Sequence, residues 1–120
     1  MGASRFEELK AWQHADGVRK AIIEICRRPV VQRDFNFRSQ IDGAGNSACR
    51  NLAEGFGRQS HAEFAHYCVI SIGSLHELLD LFREGRLKGY ISDEELQLLR
   101  DKTRRAIRVT HGLRRYLRGN

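Results

Sequence analysis

The sequence predicts an all-α protein, an antiparallel up-down-up-down four-helix bundle, and three observations carry that prediction. Apolar residues recur at helical steps of three and four along most of the 120 residues. Ser-x-x-Glu capping boxes stand at Ser4/Glu7, Ser60/Glu63 and Ser92/Glu95, each offering a side-chain acceptor to free amides at a helix start. A single proline, Pro29, is present to interrupt helices. The chain is one domain's worth, residues 1–120, with a single core that removes roughly two-thirds of the unfolded surface from water. No tandem repeat, low-complexity tract or linker divides it.

The first helix is expected over about residues 5–28, where Ala11, Ala15, Val18, Ile22 and Ile25 share one face, and Pro29 ends it. After the polar link Gln32-Arg33-Asp34, a second helix over about 36–55 places Phe37, Ile41, Ala44, Ala48 and Leu52 on one stripe. Gly43, Gly45 and Asn46 lie inside it, and because each glycine costs about 1 kcal/mol relative to alanine, a kink or a close helix approach is expected there. The third helix, over about 61–88, is closed by Gly89 as a left-handed cap. Its apolar positions Phe64, Tyr67, Cys68, Ile70, Ile72, Leu75, Leu78, Leu79, Leu81 and Phe82 cover roughly half the circumference, wider than one core seam needs. The fourth, over about 93–117, carries Leu96, Leu99, Thr103, Ala106, Thr110, Leu113 and Leu117 on a heptad stripe. Ile91 before its cap and Leu96 after it have the spacing of a hydrophobic staple.

Composition narrows the function classes. Cys26, Cys49 and Cys68 are widely spaced, form no C-x-x-C pair and read as small core residues in a reducing cytosol. The first six residues lack an apolar signal core, and Phe6 stands where a myristoylation motif needs Ser or Thr. No apolar run approaches the ~18 residues of a membrane span, so a cytoplasmic protein with no membrane contact is expected. His14, His61, His66, His76 and His111 form no spacing that brings two ligands onto one helical face, so no metal is expected. Glu77, Asp80 and Glu84 share a helical face that reads as solvated. With no nucleophile elbow, P-loop or dinucleotide fingerprint, the reading assigns no catalytic residue, no cofactor and no enzymatic activity.

The charge is more informative. The chain has 21 Lys plus Arg against 15 Asp plus Glu, a formal +6, which favours anionic partners. From residue 100 onward Arg100, Lys102, Arg104, Arg105, Arg108, Arg114, Arg115 and Arg118 face one acid, Asp101. Arg100, Arg104, His111, Arg114 and Arg118 follow one line along the helix, and Arg105, Arg108 and Arg115 a neighbouring line, both off the leucine seam. Planar guanidinium makes bidentate bonds to phosphate, so a nucleic-acid backbone is a natural ligand. Cations near a helix C-terminus also complement the macrodipole, which accounts for Arg114, Arg115 and Arg118 but not for Arg100 through Arg108.

The order of several short motifs adds a resemblance. Phe6-Glu7-x-Leu9-x-x-Trp12, Ser39-Gln40-Ile41, Asn51-x-Ala53-Glu54-Gly55-x-Gly57-Arg58, Glu63-Phe64, Gly73-Ser74-Leu75-x-Glu77 and Gly89-Tyr90-Ile91-Ser92 together resemble the four-helix-bundle proteins encoded in bacterial 23S rRNA intervening sequences. The family is similar in fold to accessory proteins of diversity-generating retroelements, which work with a reverse transcriptase and RNA. The resemblance implies a ring-shaped homo-pentamer without enzymatic activity, and a neighbouring subunit would cover the wide apolar arc of the third helix. Asp42-Gly43-Ala44-Gly45 departs from the basic Arg-Arg-Ala-Ala that relatives often carry at this place.

Two roles are open for Asn51, Glu54, Gly55 and Arg58: a ligand site at the end of the second helix, or a polar cluster fixing the turn to the third with Glu54 and Arg58 paired at i and i+4. The sequence thus leads to an oligomeric, non-catalytic scaffold. It binds RNA or DNA backbone through Arg100, Arg104, Arg105, Arg108, Arg114, Arg115 and Arg118. The alternative is an adaptor whose basic face recruits an acidic protein partner such as a retroelement reverse transcriptase.

Overall fold

The computed structural model describes residues 2–119. Those residues are 83% helical with no strand among them. A 3₁₀ turn at Phe6–Glu8 precedes α1 (Lys10–Cys26), a single turn α2 (Pro29–Gln32), α3 (Phe35–Phe56), α4 (His61–Leu87) and α5 (Asp93–Leu117). α1 packs on α3, α3 on α4, α4 on α5 and α5 back on α1, so each long helix touches the two beside it around one core. Links too short to cross the bundle make sequential neighbours antiparallel. The body measures 44 × 22 × 19 Å, its long dimension set by α4, whose 27 residues span about 40 Å.

The first helix starts later than its periodicity suggests. Ser4 and Glu7 form no capping box; Ser4 N–H and Oγ instead donate to Glu8 Oε1, and the extended backbone of Leu9 separates the 3₁₀ turn from α1. At the other end Pro29 does not simply end a helix. Arg28 before it is extended, as a residue preceding proline prefers, and Pro29 then leads the turn α2, which buries Val31 completely. Asp34 caps α3 by accepting from Phe37 N–H. α3 runs unbroken through Gly43, Gly45 and Asn46, and the close approach is real: a Cβ on Gly45 would sit 2.8 Å from Ile22 Cδ1.

α4 ends in a Schellman arrangement, with Gly89 at φ 79°, Tyr90 N–H donating to Gly85 O and Gly89 N–H to Arg86 O. α5 begins with a complete capping box, Ser92 Oγ accepting from Glu95 N–H while Glu95 accepts from Ser92 N–H. Ile91 and Leu96 are both buried beside it.

The predicted stripes of α1 and α3 form the core without exception, and that of α5 does so with Leu113 only partly buried and Ile107 added. The wide arc of α4 has an internal explanation. Because α4 packs against both α3 and α5, Phe64, Cys68, Ile72, Leu75, Leu78, Leu81 and Phe82 are all buried inside one chain, and Ile70 and Val69 are left exposed. No helix is long and apolar enough to cross a membrane among the described residues.

Candidate nucleic-acid interface

α5 is pinned along its apolar stripe between α1 and α4, which leaves the remaining circumference to carry charge. Thr103 and Thr110 sit fully buried on that stripe, their hydroxyls donating to Leu99 O and Ala106 O four residues back, so no core polarity is left to face outward. Of the seven arginines, Arg104, Arg105, Arg108, Arg115 and Arg118 are exposed, and Arg100 and Arg114 partly buried.

They do not form one flat patch. Arg105 lines a recess with Gln13, His14 and Gly17 on the α1 side. Arg114 and Arg118 line a groove with Ala62, Ala65, His66 and Val69 on the α4 side. Arg108 and Arg115 fall on the neighbouring line, off that groove. From Arg100 to Arg118 the array extends about 27 Å along the helix.

Its defining property is the absence of counter-charge. Every ion pair among the described residues uses a cation from Arg5 to Lys88, and none of the seven arginines has a carboxylate within 4 Å. Residues 100–118 hold eight cations against Asp101, a local +7, while the thirteen cations and fourteen carboxylates elsewhere sum to −1. The whole basic excess therefore resides on α5 after its first two turns, together with its C-cap Arg118. The acids Asp93, Glu94 and Glu95 occupy its first turn, so charge and helix dipole agree at both ends.

The Asn51 to Arg58 stretch sits at the turn between α3 and α4. Asn51 Nδ2 donates to Ser47 O at 2.8 Å, and Ser47 Oγ lies 2.7 Å from Ser74 Oγ on α4. Glu54 and Arg58 pair at 3.1 Å, the Arg58 guanidinium lies 4.9 Å from the Tyr67 ring centre, and Arg58 donates to the Tyr67 hydroxyl. Gly55 is where the helices close, since a Cβ there would meet Phe64 Cδ1 at 2.7 Å and Tyr67 Cβ at 2.8 Å. Glu54, Gly55 and Arg58 thus make contacts within the chain around that turn, while Asn51 bonds one turn back inside α3. Trp12 packs edge-on against Phe6, ring centres 5.3 Å apart, with Arg19 at 5.9 Å.

One charged cluster has no counterpart in the sequence reading. At the end of the bundle remote from Arg114 and Arg118, Asp34 accepts from Lys88 Nζ at 2.9 Å and from the Tyr90 hydroxyl at 2.7 Å. These bonds hold its carboxyl down at about 2 and push the Lys88 ammonium and Tyr90 phenol up. Beside it Arg28 donates to Tyr90 O at 2.7 Å and pairs with Glu95, lowering that carboxyl too. Partners 54 to 67 residues apart leave no local pattern to read.

The thiols are core groups: burial pushes Cys49 and Cys68 up to about 11 and raises the partly buried Cys26. Among the described residues no cluster of His, Cys, Asp or Glu has the arrangement of a metal site.

The model of the 23S rRNA-intervening sequence protein family matches residues 7–112. The match includes Arg100, Arg104, Arg105 and Arg108 and stops before Arg114, Arg115 and Arg118. Comparison with curated proteins gives no match.

Proposed function

The chain belongs to the 23S rRNA-intervening sequence protein family, and from that premise we propose that it is a non-catalytic, oligomeric scaffold that binds the backbone of RNA through the arginine face of α5. One observation carries the reading: seven arginines on α5 and its C-cap, none with a carboxylate partner among the described residues, stand ready for external anions. Guanidinium matches phosphate bidentately, and an array about 27 Å long spans several successive phosphates. RNA is the polyanion proposed here, and DNA backbone offers the same phosphate chemistry.

Repeating the arginine face in a homo-oligomer, a pentameric ring by the family resemblance, multiplies weak phosphate contacts by avidity.

The test is anisotropy of a labelled single-stranded RNA across a salt series, with Arg104→Glu/Arg108→Glu alongside and chromatographic size measured for both proteins. Binding through Z phosphates gives a log-log salt slope of about −0.7Z. The expected result is a steep slope that the double variant loses while keeping its assembly. Wild type that elutes as an oligomer but leaves RNA unbound at low salt overturns the RNA reading and transfers the arginine face to an acidic protein partner.

A further inference from the structure

The groove between the start of α4 and the end of α5 differs from the rest of the basic face. It is a solvent-open groove of about 480 Å³. Its floor is apolar, from Ala62, Ala65, Val69 and Leu117, and two arginines, Arg114 and Arg118, stand over it. Arg114 lies so deep that its Nε is closed off from solvent without a hydrogen-bond partner among the described residues. That nitrogen is out of a ligand's reach, so it is the other atoms of Arg114 that line the groove and meet an anion there.

An apolar slot topped by paired guanidiniums fits a molecule that is flat and apolar on one side and anionic on the other. A nucleotide has that division. The line Arg100, Arg104, His111, Arg114, Arg118 leads along α5 into the groove, so a backbone tracked by the first arginines arrives at the floor. A base can reach that floor only if it is out of a stack, which a single strand permits and a duplex does not.

We infer that the α4–α5 groove seats one nucleotide of a single-stranded RNA, phosphate on Arg114 and Arg118 and base on the floor formed by Ala62, Ala65, Val69 and Leu117. The inference rests on the RNA-binding reading and sharpens it: the protein prefers single strand to duplex. His66 also lines the groove.

Val69 is 47% exposed and Ala62 is exposed, so Val69→Glu and Ala62→Glu alter the groove without opening the core. Leu87→Glu, at the opposite end of the bundle, makes the same charge change at a 68% exposed site. Affinity is read for a short RNA and for the same RNA annealed to its complement, with chromatographic size and thermal midpoint of each variant.

Base contact of the strength usual for single-strand sites sets the expected loss at about tenfold or more for single strand in both groove variants. Duplex binding is expected to fall no further than in Leu87→Glu. A 4-thiouridine-substituted RNA is expected to crosslink to 62–69 or 114–118. Equal losses in Val69→Glu and Leu87→Glu, or wild type that binds duplex at least as tightly as single strand, overturn the groove and leave the backbone-binding reading standing. Wild type that binds neither RNA overturns both.

Discussion

Asp34 accepts hydrogen bonds from Phe37 N–H, Lys88 and Tyr90 with one carboxylate, closing the start of α3 onto the end of α4. The Tyr90 hydroxyl is the largest cause of its low value of about 2, followed by Lys88 and the Phe37 amide. Because the folded carboxyl binds its proton more weakly than an unfolded aspartate near pH 4, the stability it contributes is fully present above about pH 4 and is lost as pH falls toward about 2. Thermal midpoints of wild type and Asp34→Asn measured across that window are expected to converge as pH falls; parallel curves would show the carboxylate to be idle. The sequence shows Asp34 only as a polar linker residue, since its partners lie 54 and 56 residues away. Gly45 was legible, because a glycine inside a helical stripe signals either a break or a contact. With Ile22 Cδ1 only 2.8 Å from where a Cβ would stand, Gly45→Val is expected to destabilise by about 1–3 kcal/mol, read from the urea midpoint at unchanged slope.

At the scale of the element, α5 joins a strong start to a run of like charge. The Ser92/Glu95 box and the Ile91–Leu96 staple define where it begins, and both were visible as spacing. Its bounds and its seven arginines were legible for the same reason. Their distribution over the α1-side recess, the α4-side groove and the neighbouring line between was not, because it depends on which helices flank α5. Eight cations within nineteen residues, with Asp101 the lone acid among them, repel one another. Arg108→Glu is therefore expected to raise the thermal midpoint while weakening RNA, and added salt is expected to raise the wild-type midpoint as it screens the helix. A midpoint lowered by Arg108→Glu would mean that the arginine makes a stabilising contact.

At the scale of the whole molecule, helix number, order and core stripes follow from periodicity, because burial on one face is what a bundle demands of each helix. The α4 arc shows where that reasoning overreached. A helix with two neighbours uses a wide apolar surface inside its own chain, and Leu81 on one edge and Ile72 on the other needed the fold to be assigned. The three ion pairs that join different elements, Arg28–Glu95, Arg86–Asp93 and Lys88–Asp34, all lie at the end of the bundle that carries residues 28–34 and 86–95. The far end, where Arg114 and Arg118 meet α4, has no such tie among the described residues. The four rods are thus riveted by charge at one extremity and held at the other by packing, Gly55 against Phe64 and His61 beside Tyr116. Amide hydrogen–deuterium exchange is expected to run faster around 57–62 and 112–118 than around 28–34 and 86–95, and of the two ends RNA is expected to slow only the one that carries Arg114 and Arg118.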